Sequence, residues 1–375
     1  MADNKENKVL NVPALRFPEF TEEWESVLLE DVAEFQKKRI SSDLLNNSNY
    51  ISTENILQNF GGVQNSISIP ANTNVIEYQR GDVLLSNIRP YLKKVWLSDR
   101  HGGCSADVFV LRGNQCERRF LYYVIASDRF INFVMSGAKG VKMPRGDKSQ
   151  MEKFTFFIPT NVEQKKIAMF LSMLDERIRL QNKIIEDLKK LKSAIYQEIF
   201  GSLVAQTLEL GQVAEIIKGK QVNGTELLEQ GEYYVMNGGT TPSGWLNRYN
   251  TEANTISISE GGNSCGYVQY NTSRYWSGGH CYSLRILHPQ ETLDLYLYHF
   301  LKWQEDNIMA LRIGSGLPNI QKKDLLRFPV ILPVINKQKS IISILSVIDA
   351  KMACDILLTE HYVIQKKYLL RKLFI

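Results

Sequence analysis

The chain has 375 residues, enough for two or three domains that each bury a core. Hydrophobic and charged contents of 44% and 23% are ordinary globular values, and a net charge of +5 permits an anionic partner without demanding one. Five scattered cysteines with no C-x-x-C pair argue against a disulfide scaffold or zinc ribbon and fit a reducing cytosol, and no stretch approaches the 18 apolar residues of a membrane span.

The opening "MADNKENKVL" is polar, without the apolar run of a signal peptide, and residues 1–12 read as a flexible tail. From Pro13 to Ile158 short apolar runs such as "DVLLS" (82–86) and "DVFVLR" (107–112) lie between Gly and Asn, as strands do. "RRFLYYVIASDRFINFVMS" (118–136) has near-helical apolar spacing and predicts one helix. The order then recurs. "NTISIS" (254–259) stands where "GDVLLS" stood, and "LDLYLYHFLKW" (293–303) where the helix stood; "NGGTTPSGWLNRYN" (237–250) reads as exposed loop.

The recurrence has a fixed offset of 174. Pro159 matches Pro333, Gln164 matches Gln338, Asp175 matches Asp349 and Phe200 matches Phe374. Between 154–200 and 328–374 there are eleven identities in 47 ungapped positions, where average composition gives roughly three. Gly140 with Gly314 and Pro144 with Pro318 keep the same offset. A period this long is a duplicated domain-plus-helix, since solenoid repeats run to about 50 residues.

Each copy closes with a long apolar seam in steps of four and three. The seam runs through Ile167, Leu171, Leu174, Ile178, Ile185 and Leu188 in the first copy, with Gln181 and Lys192 as breaks. In the second it runs through Ile341, Leu345, Ile348, Met352, Tyr362 and Leu369, with Asp355 and Lys366 at the equivalent breaks. A helix over 163–199 would be about 55 Å long. One such helix per half, with polar residues at matching seam positions, predicts that the two pair antiparallel within the chain and bring Gln181 and Asp355 into neighbouring layers.

No Walker loop, H-E-x-x-H, G-x-S-x-G or kinase set appears, and "EGGNSCG" (260–266) reads as a turn. Neither catalytic nor metal residues are assigned. Basic residues, interleaved with amides, threonines and tyrosine, cluster instead at loops and element ends. The first half has Lys37, Lys38, Arg39, Asn87, Arg89, Tyr91, Lys93, Lys94, Lys139, Lys142, Arg145 and Lys148. The second has Lys218, Lys220, Asn237, Thr240, Thr241, Arg274, Arg312, Asn319, Lys322 and Lys323. Lys and Arg neutralise phosphate, and Asn and Arg present bidentate groups to base edges. Any one of these could be an ordinary solvated charge; parallel placement in both halves makes them candidate DNA contacts.

With "NVPALRFPEFTEEWE" (11–25), "GDVLLSNIRPYLKKV" (81–95) and the paired P-x4-Q-K-x-I-x3-L-S-x2-D blocks at 159–175 and 333–349, the sequence resembles the DNA-specificity subunits of type I restriction-modification systems. It departs from a simple repeat at "NTISISEGGNSCGYV" (254–268), which replaces the first half's basic loop. The fold expected is α+β: two globular target-recognition domains separated by a pair of long helices in an intramolecular antiparallel coiled coil. The boundaries are a tail at 1–12, a first recognition domain at 13–158, a first spacer helix at 159–200, a second domain at 201–332 and a second helix at 333–375. The resemblance implies a non-catalytic, cytoplasmic subunit whose domains each read one half of a bipartite double-stranded site. It implies as partners two adenine-methylating subunits and two ATP-driven restriction subunits, with S-adenosylmethionine, ATP and Mg held by those partners and no cofactor here. A stand-alone DNA-modifying enzyme and a coiled-coil scaffold that binds no DNA are the alternatives. On this reading the helices act as a ruler, which four residues added around Gly201 would lengthen by about 6 Å.

Overall fold

Pro159 and Pro333 each separate an apolar strand from a helix that no proline or glycine interrupts before its last turn. In the computed structural model, which describes residues 11–375 except Val141 and Ser315, those helices are Asn161–Gly201 and Ile335–Lys372. They are called the first and second long helix below. The chain divides into two units, one made of the residues up to Gln181 with Leu358–Ile375, the other of Asn182–Leu357. Each unit therefore contains a globular domain and a piece of both long helices.

In the first unit, strand Glu25–Leu28 pairs antiparallel with Thr155–Ile158 at the foot of the first long helix. An antiparallel sheet follows in the order Ala33–Phe35, Val108–Gly113, Val83–Ser86, Val95–Leu97. Val83 and Leu85 face one core with the helices, while Leu84 joins a second core with Ile51, Tyr78 and Trp96. A strand buried on both faces has no polar alternation, which explains the continuous apolar run of "DVLLS". The second core is covered by another sheet, in the order Arg39–Ser41, Asn74–Tyr78, Gly102–Cys104, Tyr50–Ile51.

The second unit repeats this plan. Gln206–Glu209 pairs with Pro329–Leu332, and the main sheet runs Ala214–Lys218, Cys281–Ile286, Thr255–Ser259, Val268–Asn271. Its covering sheet has three strands, Trp245–Leu246, Tyr233–Met236 and Trp276–Ser277.

Three expectations need correction. The helix expected over 118–136 is two, Arg118–Ile125 and Asp128–Ser136, because the Ser127 hydroxyl accepts the Phe130 N–H at 3.2 Å and starts a new helix. The segment 237–250 is not all exposed loop: Trp245–Leu246 is a strand against Tyr233–Tyr234, and Leu246 is buried. Of the expected tail, residues 1–10 lie outside the described residues, but the Asn11 carbonyl accepts the Trp24 N–H at 2.9 Å. The motif that follows is tied to the first long helix. Arg16 makes a bidentate ion pair with the buried Glu163 at 2.7 and 2.8 Å, and Phe17 packs edge-on against Phe170.

The seam residues are buried or half-buried along both long helices, including the polar Gln181 and Asp355. Within the first unit the helices run antiparallel: Asp175 pairs with Lys366, and Arg177 lies over Tyr362. Within the second, Lys192 pairs with Asp349, while Tyr196 and Phe200 share a core with Leu345 and Ile341. The lysines that break the seam are thus partners for the aspartates repeated at offset 174.

Most of the repeated identities are contacts that seat a domain on its own helix segments. The Gln164 amide donates to the Pro159 carbonyl at 2.8 Å and accepts the backbone N–H of Glu117, the residue that starts helix Arg118–Ile125, at 2.8 Å. Gln338 does the same with Pro333 (2.8 Å) and with Leu293 (2.9 Å), where helix Asp294–Trp303 starts, and also donates to the Glu291 carbonyl. Phe154 and Phe328 both accept, through their carbonyls, the N–H that opens the short helix after the first strand. Phe374 packs on Phe120, and Phe200 on Tyr296, Phe300 and Trp303. Asp175 accepts the Tyr123 hydroxyl at 2.8 Å; at the matching place His299 lies 3.9 Å from Asp349 and bonds Tyr196 at 3.0 Å.

The second domain grips the first long helix at Tyr196 and Phe200, so residues added around Gly201 fall beyond the grip and would loop out.

Replacing Gln164 or Gln338 with Ala strands a buried N–H and a buried carbonyl. Each variant should lose about 2–4 kcal/mol of stability, read as a drop in the denaturant midpoint; a change below about 0.5 kcal/mol would contradict the seating role. A pH effect is also expected. Burial, with Lys192 adding to it, lowers the His299 pKa to about 4 from the ordinary imidazole value of about 6.5. Between these values the unfolded chain binds the extra proton, so stability falls as pH drops from about 6.5 towards 4. A His299→Gln variant should show a shallower decline in thermal midpoint over that window.

Candidate nucleic-acid interface

Both main sheets end in the same crossing. In the first unit the strand Val83–Ser86 leads into Asn87–Ile88, which meets the hairpin 139–145: Arg145 bridges to Ile88 and to Lys139. The Arg89 N–H donates to the Pro144 carbonyl at 2.8 Å and the Gly146 N–H to the Asn87 carbonyl at 3.2 Å. In the second unit Thr255–Ser259 leads into Glu260–Gly261, and Asn319 bridges to Gly261 and to Ile313. The Gly262 N–H donates to the Pro318 carbonyl at 3.0 Å and the Ile320 N–H to the Glu260 carbonyl at 2.8 Å. Gly140 and Gly314 turn the hairpins at φ of 95° and 103°, where a side chain would be strained. These roles account for the Gly and Pro matches that lie outside the long helices.

Around the first crossing sit Asn87, Arg89, Tyr91, Lys93, Lys94, Lys139, Lys142 and Arg145. Pro90–Leu92 forms a single 3-10 turn between Arg89 and Lys93, which are both left-handed, so the basic loop holds a fixed and strained shape. Arg89, Tyr91 and Lys142 are exposed, and among the described residues the two cations form no ion pair. The other cations already have partners: Lys93 with Asp128 (2.6 Å), Lys94 with the Thr53 carbonyl (2.6 Å), Lys139 with Asp147 (2.6 Å), Arg145 with Asp107 (3.1 Å) and Lys148 with Glu152 (3.4 Å). Lys139 holds the Asp147 carboxyl below its usual range. Lys37, Lys38 and Arg39 lie instead at the start of the covering sheet, where Lys38 pairs with Glu77 at 2.8 Å and Arg39 donates to the Asn74 carbonyl. Lys38 and His101 together hold Glu77 below the usual carboxylate range.

The second crossing gathers Lys218, Asn237, Thr240, Thr241 and Asn319, whereas Lys220 bonds through its backbone to Ser277 and lines a cleft with Glu252. Asn237 accepts the His280 N–H at 3.0 Å, the Glu260 N–H reaches the His280 carbonyl at 2.9 Å, and the Ser259 hydroxyl reaches the Gly238 carbonyl at 2.7 Å. Thr240 and Thr241 are exposed beside it. Lys322 and Lys323 begin the helix that leaves the hairpin, and Arg312 precedes the hairpin, exposed. Arg274 is not brought to this place: it pairs with Glu252 at 2.8 Å and lies over Tyr249, near a cleft of about 530 Å³ on the main sheet.

Sequence reading missed Glu260. It stands where the first unit has Asn87, is 8% exposed, and accepts both Lys218 (2.7 Å) and the Tyr282 hydroxyl (2.9 Å) through Oε1. Only the register of two dissimilar strands reveals that equivalence. It also missed Asp107, whose carbonyl accepts the Asn87 N–H while its carboxylate holds Arg145.

Burial pushes the thiols of Cys104, Cys116 and Cys265 up, and that of Cys281 to about 11, so they stay protonated. Among the described residues no cluster of His, Cys, Asp and Glu could hold a metal ion, and no helix is long and apolar enough to cross a membrane.

Two α+β domains of one plan, each closed by one strand–hairpin crossing and seated on long helices, define a duplicated recognition module. The chain belongs to the family described as "Type I restriction modification DNA specificity domain", which it matches twice, over residues 21–190 and 205–356. It is 38% identical over 144 residues to a putative type I specificity subunit of Mycoplasma pneumoniae and 35% identical over 140 residues to one of Mycoplasma genitalium. Those matches cover 38% and 37% of this chain, and only 38% and 36% of the relatives' own length. In fold it is similar to the crystal structure of a type I restriction-modification S subunit from M. genitalium, with a TM-score of 0.69 at 20% identity over 97% of this chain and 99% of that one.

Proposed function

We propose that this chain is the sequence-specific DNA-binding subunit of a type I restriction-modification complex, with one recognition domain for each half of a bipartite double-stranded site. The observation that carries the reading is the crossing itself. The same backbone frame occurs in both domains, with exposed cations beside it, while the side chains on it differ: Arg145 against the exposed Asn319 on the hairpins, and Asn87 against the buried Glu260 at the strand ends. A shared frame with different polar groups is what two readers of two sequences require.

On this reading the chain is non-catalytic and directs partners: two subunits that methylate adenine with S-adenosylmethionine, and two restriction subunits that use ATP and Mg. Apolar side chains left exposed along the long helices support such docking. Met169, Met173 and Tyr368 lie in the first unit, and Ile344, Val347 and Leu357 in the second. The proteins it resembles act on DNA, so the cytoplasm is the proposed compartment.

Binding should be steeply salt-dependent. Arg89→Ala, Lys142→Ala and Lys220→Ala remove exposed cations that form no ion pair among the described residues, and each should reduce the slope of log affinity against log salt by about one without changing the preferred sequence. Lys38→Ala and Lys218→Ala remove cations already neutralised by Glu77 and Glu260, and should change the slope less. Equal slopes for all five variants and the parent would place the DNA face elsewhere.

The ruler is proposed to be the stretch of the helices between the two sets of anchors. One extra heptad after Gln181, with a matching one after Asp355, keeps the seam in phase and adds about 10 Å. That is close to three base pairs at about 3.4 Å each. Expressed with its methylation subunits, the variant should methylate sites with both half-sites unchanged and a gap about three base pairs longer. An unchanged gap would mean that the helices do not set it.

A further inference from the structure

The hairpins carry one feature that phosphate binding does not use. Met143 and Leu317 occupy the same place in them, 174 residues apart and each just before the proline whose carbonyl is held by the crossing. Both are large, apolar and open to solvent, 47% and 86% exposed. Their neighbours do not match: Lys142 corresponds to Gly316, Arg145 to Asn319, Lys139 to Ile313.

A single exposed apolar residue needs no explanation. Here two stand at one position of a duplicated frame that keeps little else but glycine and proline. The frame is stiff at their base: Lys139 and Arg145 exchange both backbone hydrogen bonds at 3.0 and 2.9 Å, as do Ile313 and Asn319 at 2.8 and 3.0 Å. Each side chain is therefore open to solvent on a hairpin that is held at its base.

Resting on the DNA-binding reading, we propose that Met143 and Leu317 are specificity-determining residues, each making apolar contact with the C5 methyl of a thymine in the major groove of its own half-site. That methyl is the one apolar feature a base pair shows in the groove, and it marks A·T pairs. The surrounding Lys, Arg and Asn supply the polar contacts; the hairpin tip supplies the apolar one.

The test uses the full chain assembled with its methylation subunits, and duplexes of its mapped site in which each thymine in turn is replaced by uracil, which lacks only the methyl. In each half-site one replacement should weaken parent binding about fourfold, the effect of burying one methyl group. Met143→Ala should abolish that uracil effect in one half-site and leave it intact in the other, and Leu317→Ala should do the converse. Neither variant should alter the salt slope, since no phosphate contact is lost, and both should fold, since the side chains are exposed. The proposal is overturned if no uracil replacement weakens the parent, or if the alanine variants keep the full effect. It is likewise overturned if they bind more weakly with no uracil dependence to lose, which would indicate a wedge between base steps. A parent complex that selects no DNA overturns the functional reading, and this proposal with it.

Discussion

An aspartate on one long helix meets a lysine on the other, once in each unit: Asp175 with Lys366, and Lys192 with Asp349. The lysines are largely buried and the aspartates about one-third exposed, so each charge has lost much of its water and needs its partner. The pair fixes the direction and register of the helices, because a slip by one turn would leave two half-buried charges unpaired. The same aspartates face the domain side chains Tyr123 and His299, so each domain is seated on the helices at the point where the helices hold each other. Gln164 and Gln338 add a second fixed point by closing the first turn of the helix in each domain. What the domains present to solvent can vary because these contacts do not.

The difference between the repeats is concentrated away from those contacts. In the first, Arg112 makes a bidentate pair with the fully buried Asp82, and the covering sheet has four strands. In the second, Arg285 stays exposed with Glu215, the covering sheet has three strands, and the cleft opens on the main sheet. The central strand ends as an amide in one repeat and a carboxylate in the other. Common scaffold and divergent parts are thus separated within each unit.

Much of this was legible in the sequence, for a physical reason in each case. The seam could be read because a buried helical stripe imposes a strict period, and the duplication because offset 174 is kept without a gap through 47 positions. The strand Val83–Ser86 was visible as an apolar run, and Thr255–Ser259 by the matching place of "NTISIS" in the second copy. The break at Ser127 was not, since apolar spacing runs across it and only the hydroxyl's bond to Phe130 decides it. Among the basic residues, sequence could not separate free cations such as Arg89 from paired ones such as Lys139, because pairing depends on which carboxylate the fold brings near. Lys192 and Lys366 looked like flaws in a seam; their role needs a partner more than 150 residues away.

Each long helix carries its aspartate and its lysine 17 residues apart, in the same order, within the same apolar stripe. Antiparallel pairing sets the aspartate of one helix against the lysine of the other at both ends. The pattern on either helix is therefore complementary to a reversed copy of itself. An ancestral chain with one domain and one such helix would have held both halves of the aspartate–lysine pairing with a second, identical chain, but would then have been confined to two identical crossings. Joining the copies in one polypeptide lifts that confinement. The helices must remain alike enough to pair, whereas the two crossings are free to drift apart.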